Sequence, residues 1–286
     1  MSLRDVIILA ILQGLTELLP VSSSAHVIVA EKLMGLDPSS PPMTLLLVML
    51  HTGTMFAVIA YFWRMWRGVY FQSSASFKKF AGLVIAATAL TGVVGEAIIK
   101  TIEHTVFRGI PHAEIEDLFS HLELIAPALA GAGLLILIAG LVEKRTPTES
   151  PNDLKLPQAG LIGAVQGLCL PFRGFSRSGA TISTGMLAGV AKSPAEIFSF
   201  ALAVVLTPPV VFRETMRLIH AQHIRGAANL ASAVVPSLIG AALAFLAGLL
   251  ALRWLSQWLE RGRWYLFGIY CLGAAAMVAA LHYAGY

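Results

Sequence analysis

Long apolar stretches alternate with short polar segments along the chain, and the apolar stretches fall into two length classes. A helix needs about twenty apolar residues to cross a bilayer. Six stretches have that length and are expected to span the membrane, at about residues 43–63, 81–99, 124–142, 195–213, 230–252 and 264–284. The pattern predicts an all-α integral membrane protein.

Two further regions, 6–35 and 158–190, each contain two apolar pieces that are too short to span, arranged around a polar tip. We expect each region to be a re-entrant helical hairpin, which enters and leaves the membrane by the same face. Polar backbone survives at that depth only where protein buries it or where it lines a wet cavity. The two polar tips are therefore expected to meet near the middle of the membrane.

The order of elements repeats along the chain. Residues 1–142 hold one hairpin and three spans, a polar linker covers 143–157, and residues 158–286 hold the second hairpin and three spans. Gln13-Gly14-Leu15 recurs as Gln166-Gly167-Leu168. Because three is an odd number of spans, the second half must be inverted relative to the first. This is the inverted-topology repeat of many transporters, here within one structural domain.

Composition narrows the class of protein. The chain is 57% hydrophobic and only 13% charged, whereas soluble domains carry about 25% charged residues. The net charge of +4 is spread over the predicted loops without a basic tail, which argues against a nucleic-acid partner. The two cysteines, Cys169 and Cys271, lie inside apolar stretches, so they imply no disulfide framework.

Basic residues predict the orientation. Eleven lysines and arginines fall in one set of predicted loops and seven in the other. By the positive-inside rule the richer set is cytoplasmic, which places both termini outside. The segment 100–123, which contains three histidines, is expected to be an exposed loop.

The first polar tip combines a carboxylate, hydroxyls and an imidazole. Gln13 and Glu17 are four residues apart and share one face of the first short helix. Pro20 ends that helix, so Glu17 lies within one helical turn of the tip. The hydroxyls and the imidazole follow at Ser22, Ser23, Ser24 and His26. The serines can cap the returning helix, whose N-terminal N–H groups favour an anion.

The second polar tip carries cations and small hydrogen-bond donors but no acid. Each arginine at mid-bilayer costs roughly 2.5–3.5 kcal/mol on insertion scales, so two of them need an anionic partner. Glycines beside hydroxyls expose backbone N–H groups, which are the components of an anion-binding nest. The residues are Arg173, Gly174, Ser176, Arg177, Ser178, Gly179 and Thr181. This composition predicts a phosphate-binding tip.

Together the tips form a complementary set: cations for phosphate, a carboxylate for a metal ion or a proton, and a hydroxyl–imidazole pair for attack. Structural interpretations remain open for several members. Glu17 and Arg177 could form a purely structural ion pair, and the serine run could be a helix cap. His51, in the first span, could face the cavity or a neighbouring helix.

At these tips the chain resembles the bacterial undecaprenyl-diphosphate phosphatase family, the integral-membrane type associated with bacitracin resistance. The first family signature, Glu/Gln-x-x-x-Glu followed by Pro-x-Ser-Ser-x-x-His, is matched by residues 13–17 and 20–26. The second, Pro-Gly-x-Ser-Arg-Ser-x-x-Thr, is matched by residues 174–181, with Arg173 in the place of the proline. Gln13 stands where some members have glutamate, and Ala25 where glycine is common.

The resemblance implies an enzyme that removes the terminal phosphate of undecaprenyl diphosphate and regenerates the monophosphate carrier for cell-wall polymers. It implies a bacterial inner-membrane protein whose site opens to the periplasm, and a divalent cation, Mg²⁺ or Ca²⁺, for which Glu17 and Gln13 are the candidate ligands. A homodimer is a further expectation. By motif position the catalytic residues are Glu17, Ser23, His26 and Arg177, and the phosphate-binding residues are Ser22, Ser24, Arg173, Gly174, Ser176, Ser178, Gly179 and Thr181.

In the leading hypothesis Ser23, deprotonated by His26, attacks the terminal phosphorus, and water later releases phosphate. Direct attack by water with His26 as base is the alternative. A polyprenyl-phosphate transporter is the rival class, because an inverted repeat with a midplane site also suits alternating access. Transport alone would not need the hydroxyl, imidazole and carboxylate together. The acid phosphatase type of lipid phosphatase is excluded, because its pattern requires a histidine six residues after the arginine, where Ser183 stands.

Overall fold

The computed structural model describes residues 2–37, 40–105, 122–143, 154–225, 230–260 and 262–285. Over these ranges the chain forms ten α-helices and no β-strand. In chain order they are α1 (Leu3–Leu18), α2 (Ser23–Leu33), α3 (Pro41–Val69), α4 (Ser74–Thr105), α5 (Leu122–Glu143), α6 (Leu156–Leu168), α7 (Arg177–Leu187), α8 (Lys192–Arg225), α9 (Leu230–Glu260) and α10 (Tyr265–Tyr283). The predicted all-α class is confirmed for the described residues.

Six of these helices are long and apolar enough to cross a membrane, namely α3, α4, α5, α8, α9 and α10. The candidate spans within them are Pro42–Val69, Ser74–Thr105, Leu122–Val142, Lys192–Arg213, Val234–Gln257 and Tyr265–Tyr283. The predicted number of six spans is confirmed over the described ranges. The remaining helices, α1, α2, α6 and α7, contain 16, 11, 13 and 11 residues and are too short to span.

Two of the predicted connections fall partly or wholly outside the described residues. Helix α4 continues to Thr105, so the first part of the loop predicted at 100–123 is helical instead. Residues 106–121 of that loop and 144–153 of the linker predicted at 143–157 lie outside the described residues. The division of the chain into two repeats at this linker remains a prediction.

Glycines set the spacing between the short helices and the long ones. A Cβ on Gly14 of α1 would lie 2.7 Å from the carbonyl oxygen of Ala244 on α9. A Cβ on Gly163 of α6 would lie 2.2 Å from the carbonyl oxygen of Ala87 on α4. Small residues at helix crossings are typical of membrane bundles, because they let two backbones approach closely. Helices α1 and α6 are therefore held tightly against α9 and α4, which determines where the two tips lie.

Candidate active site

The first tip is a sharp reversal between α1 and α2. After Leu18 the chain passes Pro20 and reaches Ser22, the one described residue other than glycine with a positive φ, at 66°. Such a conformation costs of order 1–3 kcal/mol, and tips of functional sites are where this strain is commonly found. The Ser22 hydroxyl caps α2 by accepting from the backbone N–H of Ala25 at 3.5 Å. The reversal places Ser23, the first residue of α2, opposite the end of α1.

The second tip is built in a similar way between α6 and α7. Gly174 has a φ of 101°, and a Cβ there would lie 2.6 Å from the carbonyl oxygen of Ile125 on α5. Both the backbone conformation and the close approach therefore require glycine. The Ser176 hydroxyl caps α7 by accepting from the N–H of Gly179 at 3.3 Å. Arg177 becomes the first residue of α7, where its side chain can leave the tip.

The two tips touch, although they are about 160 residues apart along the chain. Arg177 Nη2 donates to Glu17 Oε1 at 2.6 Å. The backbone N–H of Gly174 donates to Ser24 Oγ at 3.3 Å. The Ser178 hydroxyl donates to the carbonyl oxygen of Leu19 at 3.2 Å. These contacts join the acidic tip to the basic tip.

Glu17 is the centre of the site. Its Oε2 accepts from the Ser23 hydroxyl at 2.5 Å and from Gln13 Nε2 at 3.2 Å, while Oε1 accepts from Arg177. Only 13% of the Glu17 side chain and 22% of the Arg177 side chain are exposed. A carboxylate and a guanidinium buried to this degree need each other, because an unpaired buried charge is strongly destabilising. The Ser23 hydroxyl therefore lies directly beside the buried carboxylate of Glu17.

His51 of α3 faces this cluster. Its Nε2 lies 3.3 Å from Gln13 Nε2 and 3.8 Å from Glu17 Oε2, and its Nδ1 lies 2.8 Å from the carbonyl oxygen of Leu47. Of the two orientations that the sequence leaves open for His51, the structure therefore shows the one toward the site. A histidine within a long apolar span gives no indication of which way it points, so sequence could not decide this.

His26 is placed differently from the leading sequence hypothesis. Its Nδ1 lies 2.7 Å from the carbonyl oxygen of Ser22 and its Nε2 lies 2.7 Å from the hydroxyl of Tyr270 on α10. The hydroxyl of Ser23 points instead to Glu17. Helical side chains lean toward the N-terminus of their helix, which brings the ring of His26 to the carbonyl four residues before it. In this structure the acceptor of the Ser23 hydroxyl is Glu17, while both ring nitrogens of His26 have other partners.

Several groups that the sequence predicts to bind phosphate make hydrogen bonds that stabilise the tips. Thr181 is fully buried, and its hydroxyl lies 2.8 Å from the carbonyl oxygen of Arg177 and 2.6 Å from Ser199 Oγ. The hydroxyls of Ser176 and Ser178 and the N–H of Gly179 take part in the contacts described above. Arg173 lies close enough to the buried Glu31 of α2 to interact with it electrostatically.

Tyr270 is a site residue that the sequence analysis missed. It lies 244 residues after His26, in a span whose aromatic residues resemble the usual lipid-facing ones. Nothing in the sequence distinguishes Tyr270 from Tyr265 and Tyr283 of the same span, and its partner becomes visible only in the fold.

A multi-pass membrane protein with a hydroxyl, a carboxylate and a guanidinium gathered at two touching tips belongs to the class that handles phosphate groups within a membrane. The sequence profile of the family described as bacitracin resistance protein BacA matches residues 6–277. The chain therefore belongs to that family, and the resemblance seen at the two tip motifs is confirmed.

Similar proteins cover almost the whole chain. It is 59% identical over 284 residues to the protein named undecaprenyl-diphosphatase 2 of Acinetobacter baylyi, with 98% of each chain covered. It is 33% identical over 287 residues to the protein of the same name from Burkholderia orbicola, covering 95% of this chain and 94% of that one. Undecaprenyl-diphosphatase 1 of Burkholderia pseudomallei is 33% identical over 283 residues, with the same coverage.

Proposed function

We propose that this protein is an undecaprenyl-diphosphate phosphatase, which cleaves the terminal phosphate from a polyprenyl diphosphate and regenerates the monophosphate carrier used in cell-wall synthesis. The observation that carries the proposal is the chain of contacts from Ser23 through Glu17 to Arg177. It joins a nucleophile, a proton acceptor and a phosphate-binding cation. Relatives at 59% and 33% identity are named for this activity.

Ser23 is the nucleophile in this proposal. Its hydroxyl already donates to Glu17 at 2.5 Å, so the carboxylate can accept the proton as the oxygen attacks the terminal phosphorus. The new bond joins Ser23 Oγ to phosphorus, and the bond from phosphorus to the bridging oxygen breaks. The leaving group is the polyprenyl monophosphate, which keeps the electron pair. Water then cleaves the phosphoserine and restores the hydroxyl.

Arg177 binds the phosphate groups. A guanidinium has five N–H donors in a planar fork, and the contact with Glu17 is made through Nη2. The other donors suit phosphate oxygens, on which negative charge is concentrated during transfer. The half-buried position of Arg177 strengthens this attraction, since screening by water is weaker there.

A divalent cation, Mg²⁺ or Ca²⁺, is part of the proposal as a companion of the diphosphate. The described residues contain no group of three or more His, Cys, Asp or Glu side chains that could hold a metal. Mg²⁺ commonly binds through one or two carboxylates together with substrate phosphates. Glu17 and the amide oxygen of Gln13 would hold such a cation, which would neutralise part of the charge of the diphosphate.

The packing of the helices supports the inverted repeat that the proposal assumes. The first arm of one hairpin, α1, packs on α9, and the first arm of the other, α6, packs on α4. Each arm thus lies against the second span of the opposite half, through a pair of close glycine contacts. In the proposed arrangement α1–α2 and α6–α7 are re-entrant hairpins. The protein lies in the bacterial inner membrane, its site opens to the periplasm, and two copies can associate as a homodimer.

The test is phosphate release from undecaprenyl diphosphate by detergent-purified protein, with and without a chelator. We expect release of one phosphate per lipid, loss of release with the chelator, and recovery with Mg²⁺ or Ca²⁺. A parallel assay follows a polyprenyl monophosphate across sealed vesicles containing the protein. Transport without any hydrolysis of the diphosphate would contradict the proposed function and favour a transporter.

A further inference from the structure

The imidazole of His26 is held at both nitrogens. Nδ1 lies 2.7 Å from the carbonyl oxygen of Ser22 on its own chain segment, and Nε2 lies 2.7 Å from the hydroxyl of Tyr270 on α10. The two rings are stacked, with centroids 5.7 Å apart and planes within 9°. A ring held by a hydrogen bond at each nitrogen and by a parallel aromatic neighbour has little freedom to rotate.

These contacts determine the tautomer. A carbonyl oxygen can only accept, so Nδ1 of His26 carries a proton. In the neutral ring Nε2 then presents its lone pair, and the Tyr270 hydroxyl donates to it. A hydroxyl can also accept, so the same contact persists when the imidazole is protonated. Nε2 is therefore the one ring nitrogen of His26 that can take up a proton, and it is the nitrogen that Tyr270 holds.

Helix α10 touches the first tip at two consecutive residues. Beside Tyr270, the thiol of Cys271 donates to the carbonyl oxygen of Pro20 at 3.3 Å. Cys271 is fully buried, whereas Tyr270 is 50% exposed. The buried contact of Cys271 with Pro20 holds α10 against the tip. The half-exposed contact of Tyr270 with His26 lies on the solvent-accessible side of it.

We propose that Tyr270 is a positioning residue of the active site, which fixes the orientation of the His26 ring at the first tip through the hydrogen bond between its hydroxyl and Nε2. The inference rests on the proposed function and deepens it. In the proposed site Glu17 accepts the proton of the Ser23 hydroxyl, and Tyr270 orients His26. Tyr270 acts through the imidazole and does not itself touch the reacting phosphorus.

The central variant is Tyr270→Phe, which removes one oxygen and keeps the stacked ring. We expect kcat to fall about ten- to a hundredfold, the loss typical for partners that orient metal-binding histidines, with KM nearly unchanged. The matched control is Tyr283→Phe, which removes a hydroxyl from an 88% exposed tyrosine at the end of the same helix. The control should keep wild-type kcat and KM.

A double-mutant comparison separates positioning from a general structural effect. In a His26→Gln background, Tyr270→Phe should cause little further loss, because residues that act as a unit are not additive. Wild-type kcat in Tyr270→Phe would overturn the proposal. The same fold loss in both backgrounds would also overturn it, since Tyr270 would then act independently of His26.

A readout that does not depend on turnover uses protein labelled with ¹⁵N-histidine. The His26 resonances are identified by their absence in His26→Gln. The Nε2 resonance should shift in Tyr270→Phe and stay in place in Tyr283→Phe. An unshifted resonance in Tyr270→Phe would refute the contact. Absence of phosphate release by the wild type would refute the proposed function, and the ¹⁵N measurement would still decide on Tyr270.

Discussion

At the scale of single residues, the site depends on which groups bind the two carboxylate oxygens of Glu17. Glu17 Oε1 binds Arg177 and Oε2 binds the Ser23 hydroxyl. The ion pair alone would fit a purely structural role, which the sequence leaves open. A serine hydroxyl on the same carboxylate would also stabilise a purely structural pair, so activity measurements have to separate the two roles. In the proposed function the Ser23 hydroxyl is the group that Glu17 deprotonates.

The neighbouring serines provide a test of this distinction. Ser23→Ala should lower phosphate release by more than about a thousandfold, as the loss of a nucleophile does in enzymes that form covalent intermediates. Ser22→Ala removes the cap of α2 and should cost about 0.5–2 kcal/mol of stability.

The measurements are acid-quenched mass spectrometry for a phosphorylated Ser23 and thermal unfolding in detergent. We expect the phosphorylated residue in the wild type and in Ser22→Ala, with a lower unfolding temperature for Ser22→Ala. If Ser23→Ala retained activity within about tenfold of wild type, direct attack by water would be favoured instead.

At the scale of elements, the short helices are positioned by backbone contacts that only glycine allows. Gly163 of α6 faces the carbonyl of Ala87, and Gly14 of α1 faces the carbonyl of Ala244. Gly14 follows Gln13 directly, so the packing of α1 on α9 also determines where the side chains of Gln13 and Glu17 lie. The packing of the short helices on the long spans in this way determines the geometry of the tips.

Two glycine-to-alanine variants test this packing. In Gly163→Ala the new methyl group would lie 2.2 Å from the Ala87 carbonyl oxygen, so α6 must move away from α4. Overpacking of this kind typically costs about 1–3 kcal/mol. Gly92→Ala, on the open face of α4 where no atom lies within 4 Å, is the control and should be neutral or slightly stabilising. Equal unfolding temperatures for the two variants would contradict the packing argument.

The sequence determines the elements better than the contacts between them. Six spans and two polar tips follow from the lengths of the apolar stretches, and the proximity of Glu17 to the serine tip follows from Pro20. The acceptor of the Ser23 hydroxyl does not follow, because Glu17 and His26 are both within reach of Ser23 along the chain. Tyr270 and His51 could not be assigned, since a side chain in an apolar span reveals its neighbour only after the helices pack.

At the scale of the whole molecule, the proposed inverted repeat makes a claim about topology. If the hairpin α1–α2 returns the chain to the side on which it entered, α3 is the one span between the N-terminus and the turn between α3 and α4. The proposal therefore places these two points on opposite sides of the membrane. The richer set of basic loops includes the residues around that turn, Arg64, Arg67, Lys78 and Lys79. The positive-inside rule predicts that this turn is cytoplasmic and the N-terminus periplasmic.

Two single-cysteine additions test the topology. Ser2→Cys near the N-terminus and Ser73→Cys in the turn between α3 and α4 both introduce exposed thiols. In intact cells an impermeant maleimide should label Ser2→Cys and not Ser73→Cys, and lysed cells should show labelling of both. The unmodified chain, with Cys169 and Cys271, gives the background. Labelling of Ser73→Cys alone in intact cells would invert the proposed orientation.

The most direct measurement of the central claim, that both tips act as one phosphatase site, is the rate of phosphate release by Arg177→Ala. Loss of one preorganised charge contact often costs about a hundredfold or more in rate. We expect at least that loss for Arg177→Ala in purified protein, and wild-type rates for the control Arg64→Ala on the exposed face of α3. Near-normal phosphate release by Arg177→Ala would remove the second tip from the reaction and contradict the account.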